Sequence, residues 1–187
     1  EPIHPITAEI LIKSIEKAKL ENAVLLIIKL DTPGGLDSSM RQMIEAIIGS
    51  PVPVVAYVSP SGARAASAGL FISVACDIFA MAPGTSTGSA HPVSIGTSGQ
   101  GQDKTMEEKI THDAAAYIRT LAEKRGRNVQ MAEDAVRKSL SYTEQEALKG
   151  KLIDLVAKTE QELVEALDGK EIKRFNGEVQ ILKLKNQ

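Results

Sequence analysis

Tryptophan is absent from this sequence, and Phe and Tyr number only three each. So few rings exclude a stacking platform for nucleic-acid bases. The charge is nearly balanced, with 22 basic and 24 acidic residues and a net of -2. That leaves no electrostatic footprint for nucleic acid or an anionic membrane surface. A single cysteine, Cys76, excludes an internal disulfide, and no zinc-ligand spacing surrounds it. It ends the apolar run Leu70-Phe71-Ile72-Ser73-Val74-Ala75-Cys76 and reads as a buried structural thiol. No apolar run reaches the ~20 residues a membrane-spanning helix needs, and no signal peptide is visible. The chain opens at Glu1-Pro2-Ile3-His4-Pro5 without a Met and is read as an excised domain.

What is present fits one globular α/β domain over residues 1–187. Hydrophobic residues make up 43% and charged residues 25%, enough for a core and a solvated surface. Residues 7–20 carry apolar positions at helical spacing. Ala23–Leu30 is an almost continuous apolar run, as expected of a strand buried on both faces. A helix over 38–49, a second buried strand over 52–58, a helix over 66–76 and a third strand over 77–82 follow. Strand–turn–helix units in series predict a parallel sheet with right-handed crossovers. Residues 84–105, rich in Gly, Ser, Thr and Gln, read as a mobile loop over a site or, equally, a plain surface linker. Helices are predicted over 106–125 and 129–138. Thr143 and Glu146 have the spacing of a capping box. A strand over 152–157, a last helix and a hairpin at Asn176-Gly177 close the chain.

Two turns stand where parallel strands end, the edge at which open α/β sheets place their sites. The first is Asp31-Thr32-Pro33-Gly34-Gly35. Its glycines permit a tight bend and exposed amides, and Gly35 is a candidate oxyanion donor; an ordinary strand–helix turn would look the same. It has neither phosphate-loop nor dinucleotide spacing, so no cofactor is expected, and no metal. The second is Gly62-Ala63-Arg64-Ala65-Ala66-Ser67-Ala68-Gly69, a bed of small residues leading into a helix. Ser67 there is either a helix N-cap or a nucleophile, with the Ala68 amide as a second oxyanion donor.

A serine nucleophile needs a base. Three histidines exist: His4 near the start, His91 in Ser89-Ala90-His91-Pro92, and His112. Lysine also serves where burial disfavours its charged form. Lys109 follows the loop and enters a helix whose middle is small or apolar. Its charge could equally pair with Glu107, Glu108 or Asp113 on the helix surface.

Taken as a set and in order, these motifs resemble the NfeD-type membrane-associated serine proteases. The set comprises the two turns, Met81-Ala82-Pro83-Gly84-Thr85, Ala90-His91-Pro92 and the stretch from Lys109 to Arg127-Asn128. The resemblance runs from about residue 3 to 157. These proteases are relatives of signal peptide peptidase A and the Clp proteolytic subunit. The resemblance implies a Clp/crotonase-like spiral of ββα units, with a first strand before Ile3. It implies a Ser–Lys dyad of Ser67 and Lys109, with oxyanion amides on Gly35 and Ala68. It further implies a protease domain apposed to the extracytoplasmic face of a membrane. There it would cleave hydrophobic segments of proteins such as stomatin-like membrane proteins and assemble as a homodimer or larger homo-oligomer. His91 lies where Clp-type enzymes carry a triad histidine, so a Ser67–His91 pair is the rival. Two other readings are a crotonase-type acyl-CoA enzyme, for which no acidic pair stands near the glycine turn, and a non-catalytic membrane-protein-binding scaffold.

Overall fold

The computed structural model describes residues 1–93 and 104–184. Helix α1 (Pro5–Leu20) precedes β1 (Leu26–Leu30), α2 (Asp37–Ile48), β2 (Val54–Val58), β3 (Arg64–Ala66), α3 (Ala68–Ala75), β4 (Ile78–Met81) and β5 (Ser86–Gly88). Then come α4 (Lys104–Arg125), α5 (Val129–Arg137), β6 (Ser141–Thr143), α6 (Glu144–Lys149), β7 (Leu155–Val156), α7 (Glu160–Leu167) and the strands β8 (Glu171–Lys173) and β9 (Val179–Ile181).

A parallel sheet of order β1-β2-β4-β7 forms the centre. β2 is buried at all five positions, which is why it reads as a pure apolar run. Alternate side chains feed two cores. Val54, Ala56 and Val58 join Phe79, Met81 and helices α1 to α5 on one face. Val55, Tyr57, Ile78 and Ala80 join Leu163 and Leu167 of α7 and the β8–β9 hairpin on the other. Each fully buried Leu, Ile or Phe contributes about 1.5–3 kcal/mol through lost apolar surface. The Tyr57 hydroxyl, sunk in the second core, donates to the Ala157 carbonyl at 2.8 Å.

Several local readings are revised. β1 lies at the sheet edge, mostly half-buried, with Lys29 exposed and paired to Glu160 at 2.7 Å. Three short strands, β3, β5 and β6, build a second small sheet where helix or loop was expected. Each spans three residues, too few for a period of two to be legible. Of the expected loop 84–105, residues 86–88 are strand and 104–105 are helix, while 94–103 lie outside the described residues. The capping box forms: the Thr143 N–H donates to Glu146 Oε2 at 2.9 Å, and the Glu146 N–H to Thr143 Oγ1 at 3.2 Å.

Buried charge fixes the far end of α4. Asp77, fully buried, accepts from Arg125 at 2.9 Å, Arg174 at 2.8 Å and the Val54 amide at 2.8 Å. Arg125 and Arg127 also donate to the Ala75, Val74 and Cys76 carbonyls. Those carbonyls are the unpaired acceptors at the C-terminal end of α3, so the two arginines cap it. Cys76 beside them is buried, and desolvation pushes its thiol up to about 12, as befits a structural residue.

Candidate active site

Ser67 occupies the single residue between β3 and α3. β3 is held on both sides. It pairs in parallel with β5, and the Thr32 amide donates to the Arg64 carbonyl at 2.7 Å while the Ala66 amide donates to Thr32 at 3.1 Å. The chain must then turn abruptly into a helix. Ser67 does so at φ 53 and ψ -119, a conformation that costs a non-glycine residue about 1–3 kcal/mol. Its amide is fixed by donation to the Gly88 carbonyl at 2.9 Å. The hydroxyl makes no capping bond to α3, although Ser67 stands at the N-cap. That removes the simple capping explanation for this serine. Its side chain is half-buried, reachable from one side.

The glycine turn lies against it. A Cβ on Gly34 would stand 2.6 Å from Ser67 Cβ, and the φ there is +115, so only glycine fits. Gly69 is required for another reason: a Cβ would meet Thr32 Cγ2 at 2.6 Å, so the bed of small residues lets α3 settle on the first turn. Ile3 pairs with Gly35 as a parallel bridge, donating to the Gly34 carbonyl at 2.8 Å and accepting from the Leu36 amide at 2.9 Å. In such a bridge the Gly35 amide itself points away from Ile3. Ala68 is the first residue of α3, where an amide has no intrahelical acceptor. Among the described residues neither amide has an acceptor.

Ser67, Gly35, Ala68 and Lys109 all line one cavity of about 600 Å³. Its walls include Leu36, Met40, Phe71, Val93 and Ile110. Phe71 of α3 stacks on Tyr117 of α4 at 6.0 Å, which joins the two helices below the cavity. Lys109 is exposed at the mouth of the cavity. Among the described residues neither its amine nor the Ser67 hydroxyl has a hydrogen-bond or ion-pair partner. Loose contacts of this kind are common before substrate binds.

His91 is elsewhere. It lines a neighbouring cavity with Lys104, Glu107, Glu108, Thr111 and His112. Its Nδ1 is 3.0 Å from the Val136 carbonyl oxygen, and its Nε2 is 4.0 Å from Glu107. His112 faces Arg137 at 3.3 Å, and His4 lies at the N-cap of α1. No group of three or more metal-ligating side chains occurs among the described residues. Sequence reading missed Arg41, which lines the Ser67 cavity from α2 and reaches Asp37 at 2.9 Å and Asp113 at 2.7 Å. The Asp113 partner is 72 positions away, with no local signal.

Comparison with known proteins places this geometry. Residues 3–185 match the family described as NfeD1b, N-terminal domain. The chain is 43% identical over 156 residues to a membrane-bound protease of Pyrococcus horikoshii, covering 83% of this chain and 35% of that protein. It is 33% identical over 150 residues to membrane protein NfeD1b of Bacillus subtilis, covering 80% and 32%. It thus spans about a third of the length of these two relatives. A solved membrane-bound stomatin-specific protease, in a serine-to-alanine form, superposes with a TM-score of 0.91 at 38% identity, covering 99% of this chain and 89% of that one. A lysine-to-alanine form in complex with a substrate peptide gives 0.90 at 38% identity, with 99% and 84% covered. The architecture is that of the Clp/crotonase-like α/β fold.

Proposed function

The chain belongs to the NfeD1b N-terminal domain family, and on that premise we propose that it is a serine endopeptidase with Ser67 as nucleophile and Lys109 as general base. The observation that carries the reading is the cavity that Ser67, Lys109 and the two unpaired amides share. The two replaced residues of the solved relative lie 41 positions apart in its numbering, and Ser67 and Lys109 lie 42 apart here. His91 is a weaker base candidate, since it lines the adjacent cavity and its Nδ1 faces a backbone carbonyl.

Ser67 Oγ attacks an amide carbonyl while the neutral Lys109 amine takes the hydroxyl proton. The Gly35 and Ala68 amides donate to the oxyanion; losing one such donor typically costs about 3–4 kcal/mol of transition-state stabilisation. The Lys109 ammonium returns the proton to the departing amine. Water then attacks the acyl-enzyme, Lys109 takes its proton, and the Ser67 hydroxyl is restored. A substrate that closes the mouth desolvates the amine, which disfavours its charged form when it must act as base.

The apolar walls suit an extended hydrophobic peptide, and the relatives point to a membrane protein of the stomatin type as its source. In the whole protein the domain would act as a homo-oligomer at the extracytoplasmic face of a membrane. No helix among the described residues is long and apolar enough to cross one. The test is to incubate the whole protein with a peptide from an apolar stretch of a stomatin-like protein and sequence the products. Cleavage within the apolar stretch by wild type, and none by Ser67→Ala, is expected. Cleavage that persists in Ser67→Ala would overturn Ser67 as the nucleophile, and an uncut peptide throughout would favour a binding scaffold.

A further inference from the structure

Arg41 has a position that the reaction scheme leaves unused. It projects from α2 into the Ser67 cavity and spans two contacts on α4. Its guanidinium binds Asp113 at 2.7 Å and lies over the Tyr117 ring at 4.4 Å from the centroid. Lys109, Asp113 and Tyr117 are spaced four apart, so they form one stripe along the helix. Tyr117 in turn stacks on Phe71, four residues after Ser67. The Arg41 side chain is 37% exposed, and its guanidinium is also held by Asp37 on its own helix at 2.9 Å. The stripe that carries Lys109 is therefore gripped at its next two turns by a residue of α2.

The charge arrangement matters as much as the grip. Asp113 stands one turn from Lys109, where a carboxylate pairs with an amine and favours its protonated form. Asp113 is bound to Arg41 instead, and among the described residues Lys109 has no ion pair. Charged groups on the other sides leave this balance intact. α3 carries none. From α5, Glu133 is taken by Arg119 and Arg137. On α4 itself, Glu107 faces His91, and Glu108, Lys104 and His112 line the adjacent cavity. Asp37, Arg41 and Asp113 are thus the charged residues that line the Ser67 cavity together with Lys109.

We propose that Arg41 is a positioning residue for Lys109, engaging the Asp113 carboxylate so that it cannot pair with the amine that must accept the Ser67 proton. The proposal rests on the Ser–Lys reading and deepens it. Its signature is one of sign. Removing Arg41 takes away a cation and frees a carboxylate, and both favour the ammonium. Removing the Asp113 charge leaves Arg41 less compensated and favours the neutral amine. Removing both restores the balance.

The test is the second-order rate at which an uncharged fluorophosphonate labels Ser67 in the whole protein, followed from pH 5 to 10. In this reaction Ser67 Oγ displaces fluoride at phosphorus and its proton passes to the base, so no peptide-binding step intervenes. Arg41→Gln is expected to move the midpoint of the rate profile up by about one pH unit and to slow labelling about tenfold below it. Asp113→Asn is expected to move the midpoint down, and the double variant Arg41→Gln/Asp113→Asn to return it to the wild-type position. A merely structural clamp would give equal losses in all three variants with no opposed shifts, and that result overturns the proposal. Opposed shifts that vanish in a Lys109→Ala background support it. Labelling of Lys109→Ala at the wild-type rate and midpoint would overturn the dyad itself, which separates the two failures.

Discussion

The two ends of α4 are built on opposite principles. At its C-terminal end Arg125 and the neighbouring Arg127 are almost wholly buried, held by Asp77, Asp154 and the carbonyls that end α3. At its N-terminal half Lys109 stands exposed at the mouth of an apolar cavity, without an ion pair among the described residues. Sixteen residues, about 24 Å of helix, separate Lys109 from Arg125. Buried charges tolerate few alternatives, because an unpaired one costs several kcal/mol; they therefore fix α4 against α3 at one register. The open end places Lys109 on the cavity that Ser67, the residue before the same α3, also lines. One end holds its cations in buried ion pairs, and the other leaves Lys109 without one among the described residues.

The comparison breaks most visibly if the anchored end is cut. Asp77→Ala strands two buried guanidinium groups and is expected to destabilise the fold by about 3–5 kcal/mol, read as a lower denaturant midpoint. Gly34→Ala acts between the extremes. It forces a Cβ against Ser67 at a φ of +115, for an expected loss of about 1–3 kcal/mol together with slower labelling of Ser67. At the open end Lys109→Ala is expected to leave stability within about 0.5 kcal/mol of wild type while activity falls about 100-fold or more. A large stability loss from Lys109→Ala would erase the contrast between the ends.

Cys76 gives the smallest and cleanest readout of the anchored end. Burial raises its thiol to about 12 in the folded state, above the ~8.5 of a free cysteine. The folded state therefore keeps its proton where the unfolded state loses it. The resulting stability is complete below the unfolded value and declines as pH rises from there toward about 12. A thiol reagent at pH 8 is expected to find no reactive group in the native protein and one per chain in denaturant.

Legibility in the sequence followed the range of the interactions. β2 and the start of α6 were readable, because an apolar run and a capping box act within a few positions. Ser67 stood out through its small neighbours, and the structure gives the reason: Gly69 must clear Thr32, and Gly34 must clear Ser67. The positive φ at Ser67 left no mark, since a serine in the left-handed region is dictated by the strands around it. The Arg41–Asp113 pair and the Asp77 cluster were invisible for a related cause. Their partners lie 72, 48 and 97 positions away, and nothing local announces such pairs. Lys109 was noticed for its setting, yet it is exposed rather than buried, and the Arg41–Asp113 pair one turn further along α4 had no local signal.

The most direct test of the assignment is fluorophosphonate labelling of the whole protein, with the adduct located by mass spectrometry in wild type, Lys109→Ala and His91→Ala. The expected result is an adduct on Ser67 that collapses in Lys109→Ala and survives in His91→Ala. Collapse in His91→Ala with survival in Lys109→Ala would contradict it and make the histidine the base.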